Sequence, residues 1–488
     1  MSYRRRFGKD NSACDSGNAV EGSASSEEAN EASKSLDHEV AHLTKLRSRP
    51  HQHLRGVLPG KLRFPVSTLK MLMGREGNYS GRGRFSSADA CHVLSRYLPI
   101  NGPWGVDQLN SPAYVSQFSN DGLFFVAGFQ GGHIRIYNVE KGWTVQKDIL
   151  TKSLRWTITD TSLSPDQRFL AYASMSPIVH IVNAGSSTTE SLANITEIHE
   201  ALDFSVDYDE EFGIFSVKFS TDGRELVAGS SDASIHVYDL QANKVSLKIP
   251  AHTSDVNTVC FADETGHLIF SGSDDNLCKI FSDRNFSIID MLLQVWDRRC
   301  FITKGQAAGV LMGHLQGITF IDSRGDGRYL ISNGKDQTTK LWDIRKMSSR
   351  NMYPRITDCD WDYRWMEYPA HARTSRHPLD QSLATYRDHS VLRTLIRCYF
   401  SPAYSTGQKY IYTGSSDHSV YIYDLVTGAQ VAKLFHHDGP VRDCSWHPTY
   451  PMLVSSSWDG SIVRWEFPGD DQVPTLVKPR VRRRRAFY

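Results

Sequence analysis

From Tyr114 onward the chain consists of short runs in which apolar and polar residues alternate, each bounded by Gly, Asp, Ser or Asn. A period of two predicts half-buried antiparallel strands. In GSSDASIHVYD (229–239), GSDDNLCKIFS (272–282), NGKDQTTKLWD (333–343), GSSDHSVYIYD (414–424) and SSWDGSIVRWE (456–466) an aromatic follows a turn aspartate by six positions. The pairs are Asp232/Tyr238, Asp275/Phe281, Asp336/Trp342, Asp417/Tyr423 and Asp459/Trp465. Positions three and five beyond the aspartate, such as Ile235/Val237 and Val420/Ile422, are mostly apolar or β-branched, so one strand face is buried. Upstream stand Ala251-His252, Gly313-His314, Asp388-His389 and His436-His437, each opening a further alternating run. Two weaker copies, at 114–138 and 159–183, bring the total to seven units over 105–468.

These repeats resemble the WD-repeat family, whose units of about 40–45 residues form the four-stranded blades of a β-propeller. The resemblance implies an all-β, seven-bladed propeller. It also implies a buried hydrogen-bonded chain of a histidine, a strand-b Ser or Thr, the turn Asp and the strand-c Trp, for which His314, Ser332, Asp336 and Trp342 supply the full set. Where Tyr or Phe replaces Trp, the chain is expected to be altered and the blade to rely more on apolar packing. The last unit ends at strand c, so an outer strand must close the ring; a segment N-terminal to blade one, within 91–98, is expected to supply it.

The segments outside the repeats read differently. Residues 1–35, rich in Ser, Ala, Glu and Asn, hold too few large apolar side chains to offset their ordering entropy and are expected to be disordered. Residues 36–104 form an expected helical arm and linker. Leu36, Val40, Leu43 and Leu46 lie on one helical face ahead of Pro50, and Val66, Leu69, Leu72 and Met73 follow Pro65. An isolated helix of this length is marginal in water, so the first stripe must be covered either by the propeller or by a partner. Residues 469–488 are a basic tail in which Lys478, Arg480, Arg482, Arg483, Arg484 and Arg485 suit a nuclear importer; the plainer reading is a solvated tail.

Two irregularities interrupt the repeat. After Phe281 a Val-Trp-Asp recurs at 295–297, and Asp290 again stands six before Trp296, with Leu293 and Val295 at the apolar positions. The second copy is the expected strand c of blade four, because Trp296 can complete the chain with His252 while residues 280–294 enlarge the b–c loop. In blade five, residues 346–378 fall between strands c and d and carry Trp361, Tyr363, Trp365 and Tyr368. These aromatics either pack the loop on the disk or make a binding patch.

Composition narrows the function. The 488 residues carry 55 Lys+Arg against 54 Asp+Glu, a formal charge of +1, which lacks the basic footprint of a nucleic-acid binder and makes such a partner unexpected. No apolar run is long enough for a membrane helix, no secretory leader opens the chain, and no membrane partner is expected. The eight cysteines form no CxxC pair, which argues against a disulfide frame or zinc site and for the cytoplasm or nucleus. GxSxG, P-loop and HExxH motifs are absent, so no enzyme, metal or cofactor is expected.

The most informative signal is Trp296-Asp297-Arg298-Arg299 and Trp342-Asp343-Ile344-Arg345, a WDxR box in each of two consecutive repeats. An arginine just past strand c stands on the a–b/c–d face, where its fork can bind a partner's carboxylates or carbonyls, unless it merely caps its own turn. The paired boxes, the segment HEVAHLTKL and the basic tail are similar to plant members of the WD-repeat-containing protein 23 family, regarded as cullin-4 ubiquitin-ligase substrate receptors. That resemblance implies docking on the adaptor, damage-specific DNA-binding protein 1, through Asp297, Arg299, Asp343, Arg345 and the Leu36/Val40/Leu43/Leu46 stripe, with a substrate protein the sequence does not name. The insertion beside the first box bears on Arg299. A nuclear RNA- or chromatin-associated scaffold is the alternative.

Overall fold

The computed structural model describes residues 98–185, 199–206, 211–282, 309–348 and 361–467. They form seven four-stranded antiparallel sheets. The first strand of each sheet touches that of the next, and the seventh returns to the first, closing a ring. Each blade runs a to d from the centre outward, as in blade five: Ile318–Ser323, Tyr329–Gly334, Thr338–Asp343 and Ala384–Tyr386. This is the expected seven-bladed propeller.

The repeat text is explained by the turn between strands b and c. The residue after each turn aspartate has positive φ: Ala233, Asn276, Gln337, His418 and Gly460. Asp232, Asp275, Asp336 and Asp459 stabilise that bend by accepting from the amide two residues on, as Asp336 does from Thr338 (3.2 Å) and Asp459 from Ser461 (2.8 Å). Gly460 is additionally confined, since a Cβ there would sit 2.0 Å from the Leu109 carbonyl. Beyond the turn, the alternating apolar residues are buried between neighbouring blades. Phe125 and Tyr137 of blade one, for instance, share a cluster with Val454 and Ile462 of blade seven. Each such side chain contributes roughly 1.5–3 kcal/mol.

Inner strands are tied to one another by side chains that accept the next blade's backbone N–H. Asp443 accepts from Ser116 (2.8 Å), Asp160 from Val217 (3.0 Å) and Asp322 from Phe400 (2.8 Å). Contacts also cross the centre. Arg397 of blade six reaches Asp160 of blade two at 2.9 Å and Asp443 of blade seven at 3.3 Å, while Arg442 donates to the Thr159 carbonyl at 3.1 Å. Burial alone would lower the Arg397 pKa, but the two carboxylates outweigh it and raise it; the same exchange brings Asp160 down to about 2.

Two expectations are corrected. The closing strand does come from the N-terminal side, but it is Asn101–Gln108, paired antiparallel with Ser461–Glu466, rather than a segment within 91–98, of which 91–97 lie outside the described residues. Strand c of blade four is the first copy, Cys278–Ser282, paired with Leu268–Ser273 on one side and Gly309–Leu311 on the other. The tight turn at Asp275 and Asn276 brings strand c back onto strand b at once, and Cys278 and Ile280 fill the core. Use of the second copy would replace that tight turn with a long b–c loop that must close before strand b is paired. The lengthened connection of blade four is therefore c–d, as in blade five. Trp296 lies outside the described residues.

Candidate functional site

Strand c runs from the b–c turn to the c–d connection, so these mark opposite faces of the disk. Between them, blade five holds its chain as expected. His314 Nδ1 lies 3.1 Å from Asp336, its Nε2 2.7 Å from Ser332 Oγ, and Trp342 Nε1 donates to the same Oγ at 2.7 Å. Burial would raise Asp336, but the His314 imidazole outweighs it and brings the carboxyl to about 2. Blade seven repeats the set with His437, Ser455, Asp459 and Trp465. Blade six departs from it: His389 turns to Asn333 of blade five (3.0 Å) and the Tyr423 hydroxyl (3.1 Å), while Asp417 takes Tyr421 and Lys433. Thus, where Tyr replaces Trp in blade six, the chain is altered as expected, by redirecting its polar partners. These histidines are structural.

The c–d face carries the second box. Asp343 ends strand c and caps a single 3₁₀ turn, Ile344–Lys346, by accepting from the Arg345 amide at 3.1 Å. Its carboxylate, with a side chain only 8% exposed, is held by Arg328 at 2.9 Å. The cap is thus the aspartate, and its strong ion pair is with another residue. The Arg345 guanidinium donates through Nε and Nη2 to the two Asp343 oxygens at 3.4 Å each, and with 62% of the side chain exposed its remaining N–H groups are open to a partner. Asp297 and Arg299 of the first box lie outside the described residues, as do Leu36, Val40, Leu43, Leu46 and Lys478, Arg480, Arg482, Arg483, Arg484 and Arg485. Because Ser282 occupies the register that Asp343 holds, the arginine two positions past it in sequence is Arg284.

The blade-five connection resolves its own aromatics. It leaves the arginine face, pairs Ser348 with Val310 along the outer strand of blade four, and is next seen at the opposite face. There the Lys335 ammonium of the b–c turn sits 4.0 Å over the Tyr363 ring, and the Arg393 amide donates to the Tyr363 carbonyl. Trp361 meets Tyr368 edge-on at 4.9 Å and donates to the Glu367 carbonyl at 3.0 Å. Those three aromatics pack the loop. Trp365, at their centre, is 86% exposed. The packing reading thus holds for Trp361, Tyr363 and Tyr368, and Trp365 is the residue left to the other.

Sequence reasoning missed Arg328, which orients Asp343, and the central Arg397 and Arg442. The available signal was charge inside the inner-strand runs, where Arg442 stands at the position of Asn257 and Thr319. Among the described residues no three His, Cys, Asp or Glu side chains gather to hold a metal, and no helix is long and apolar enough to cross a membrane. Cys260, Cys278, Cys398 and Cys444 are free, with burial pushing the Cys278 thiol up to about 12.

Comparison with known proteins agrees with this architecture. The family described as WD domain, G-beta repeat matches residues 207–239, 243–282, 305–343, 380–424 and 428–466. The chain is 81% identical over 486 residues to the LEC14B homolog of Prunus armeniaca, covering 99% of both chains, and 67% identical over 444 residues to the LEC14B protein of Lithospermum erythrorhizon, covering 90% and 91%. It is 34% identical over 430 residues to the DDB1- and CUL4-associated factor 11 homolog of Caenorhabditis elegans, covering 85% of this chain and 70% of that one.

Proposed function

This chain belongs to the WD-repeat-containing protein 23 family, in the branch of the plant LEC14B proteins and with the DDB1- and CUL4-associated factor 11 homologues as relatives, and on that premise we propose that it is a non-catalytic substrate receptor. In this reading the c–d face docks on the adaptor of a cullin-4 ubiquitin ligase, damage-specific DNA-binding protein 1, and the opposite face presents a target protein. The observation that carries it is Arg345: a long cationic fork left exposed beside a buried aspartate that already has its own arginine. Such a group adds little to the fold and much to a carboxylate- or carbonyl-bearing partner. The helical stripe Leu36/Val40/Leu43/Leu46 is assigned to the same adaptor, and the tail from Lys478 to Arg485 to nuclear import.

The test is adaptor recovery and affinity with single changes at Arg345, Arg299 and Arg284. Loss with Arg345→Ala, and with one of the two blade-four changes, supports the reading and decides which copy supplies the first box. A Leu43→Asp change that removes adaptor binding without moving the thermal transition supports the arm's role. If it lowers the transition and spares binding, the arm is structural. Removal of 478–485 is expected to shift a fluorescent fusion out of the nucleus.

A further inference from the structure

The arginine face of blade five continues without a break onto blade six. Arg328, which holds Asp343, lies with its guanidinium 4.5 Å from the Tyr329 ring centre, and Arg324 covers the same ring at 5.5 Å. Arg324 in turn donates to Gln408 Oε1 at 3.1 Å, and Gln408 Nε2 returns a bond to the Arg324 carbonyl at 2.8 Å. Gln408 lies in the a–b connection of blade six, between Cys398–Phe400 and Tyr410–Thr413, which is longer than in blade one and forms a four-residue helix, Ala403–Thr406, closed by Gly407 at φ 62. Ser405 and Thr406 are buried, and Thr406 Oγ1 is 2.6 Å from Ser401 Oγ, so the helix is fixed to its blade. Its Tyr404 is 73% exposed.

We propose that Tyr404 and Arg324 are part of the adaptor-binding surface, which extends from Arg345 across Arg328, Tyr329 and Gln408 to the helix of blade six. This rests on the receptor reading above and adds to it a second anchor, about which the WDxR pattern says nothing. Three arginines line the stripe, while Asp343 is buried and Asp326 lies 3.8 Å from Arg324, so the stripe favours a partner surface bearing carboxylates. At its end stands an aromatic held on a rigid support, which brings contact area at small entropic cost. Continuity with Arg345 on one face commits this surface to the same adaptor rather than to the target.

The experiment titrates purified damage-specific DNA-binding protein 1 into the full-length chain and its Tyr404→Ala, Tyr404→Phe, Arg324→Glu and Arg345→Ala variants, with thermal unfolding recorded for each. Tyr404→Ala and Arg324→Glu are each expected to weaken binding about tenfold with an unchanged transition, and Tyr404→Phe to bind as the parent. If Arg345→Ala weakens binding while Tyr404→Ala and Arg324→Glu bind as the parent does, the extension is overturned and the receptor reading stands. If the parent chain does not bind the adaptor, or all variants bind alike, both fall.

Discussion

Arg397 and Arg345 carry the same side chain to opposite ends. Arg397 is buried at the centre of the ring and shared between Asp443 of the neighbouring blade seven and Asp160 of blade two across the centre. Arg345 stands at the edge of a face, with an aspartate beside it that is already satisfied by Arg328. An ion whose partners are desolvated with it is bound to the fold, because removing it takes a cation from buried carboxylates. An ion left mostly solvated, with two long bonds to its neighbour, has the rest of its hydrogen-bonding capacity still to give. The difference separates what holds this propeller closed from what it can offer another protein.

The strongest way to break that contrast is Arg397→Ala, which should cost about 3–5 kcal/mol in chemical denaturation by taking the shared cation from buried Asp443 and leaving Asp160 to Lys218. A loss below about 1 kcal/mol would place Arg397 with the surface arginines. Next comes pH. Burial pushes His389 down to about 4 from an ordinary 6.5, so the folded state disfavours its protonation. Its contribution is complete above pH 6.5 and is lost as pH falls through about 4, at most about 3 kcal/mol. Denaturation at pH 7.5 and pH 4.5 should show a smaller decline for His389→Gln than for the parent; equal declines would sink the assignment.

How much of this the sequence revealed follows the same division. Blade count, the turn aspartates and the chain through His314, Ser332, Asp336 and Trp342 were legible because each repeat carries its own local reason, a turn or a strand period. The contact of Arg397 with Asp160 was not, because it joins positions 237 residues apart in blades that are not neighbours. The doubled strand of blade four was misread for a related reason: the tryptophan argument weighed one hydrogen bond, whereas the ladder with Leu268–Ser273 decides. Arg345 was found by motif, yet its availability depends on Arg328, fifteen residues upstream of Asp343, which no motif marks.

On the opposite face, Trp365→Ala sharpens the contrast further. Its ring is mostly in water while Trp361, Tyr363 and Tyr368 hold the loop, so the change should leave stability within about 0.5 kcal/mol and adaptor affinity unaltered. Capture of target proteins by the full chain should fall. If adaptor affinity fell with it, the two faces would not be separate sites.

The most direct measurement is adaptor affinity and thermal transition taken on the same sample for the parent chain and Arg299→Ala with Arg345→Ala. The account predicts weakening equivalent to about 1–3 kcal/mol per lost charge-assisted bond, with the transition unmoved. Unchanged affinity in the double variant, with the parent complex confirmed, would contradict it.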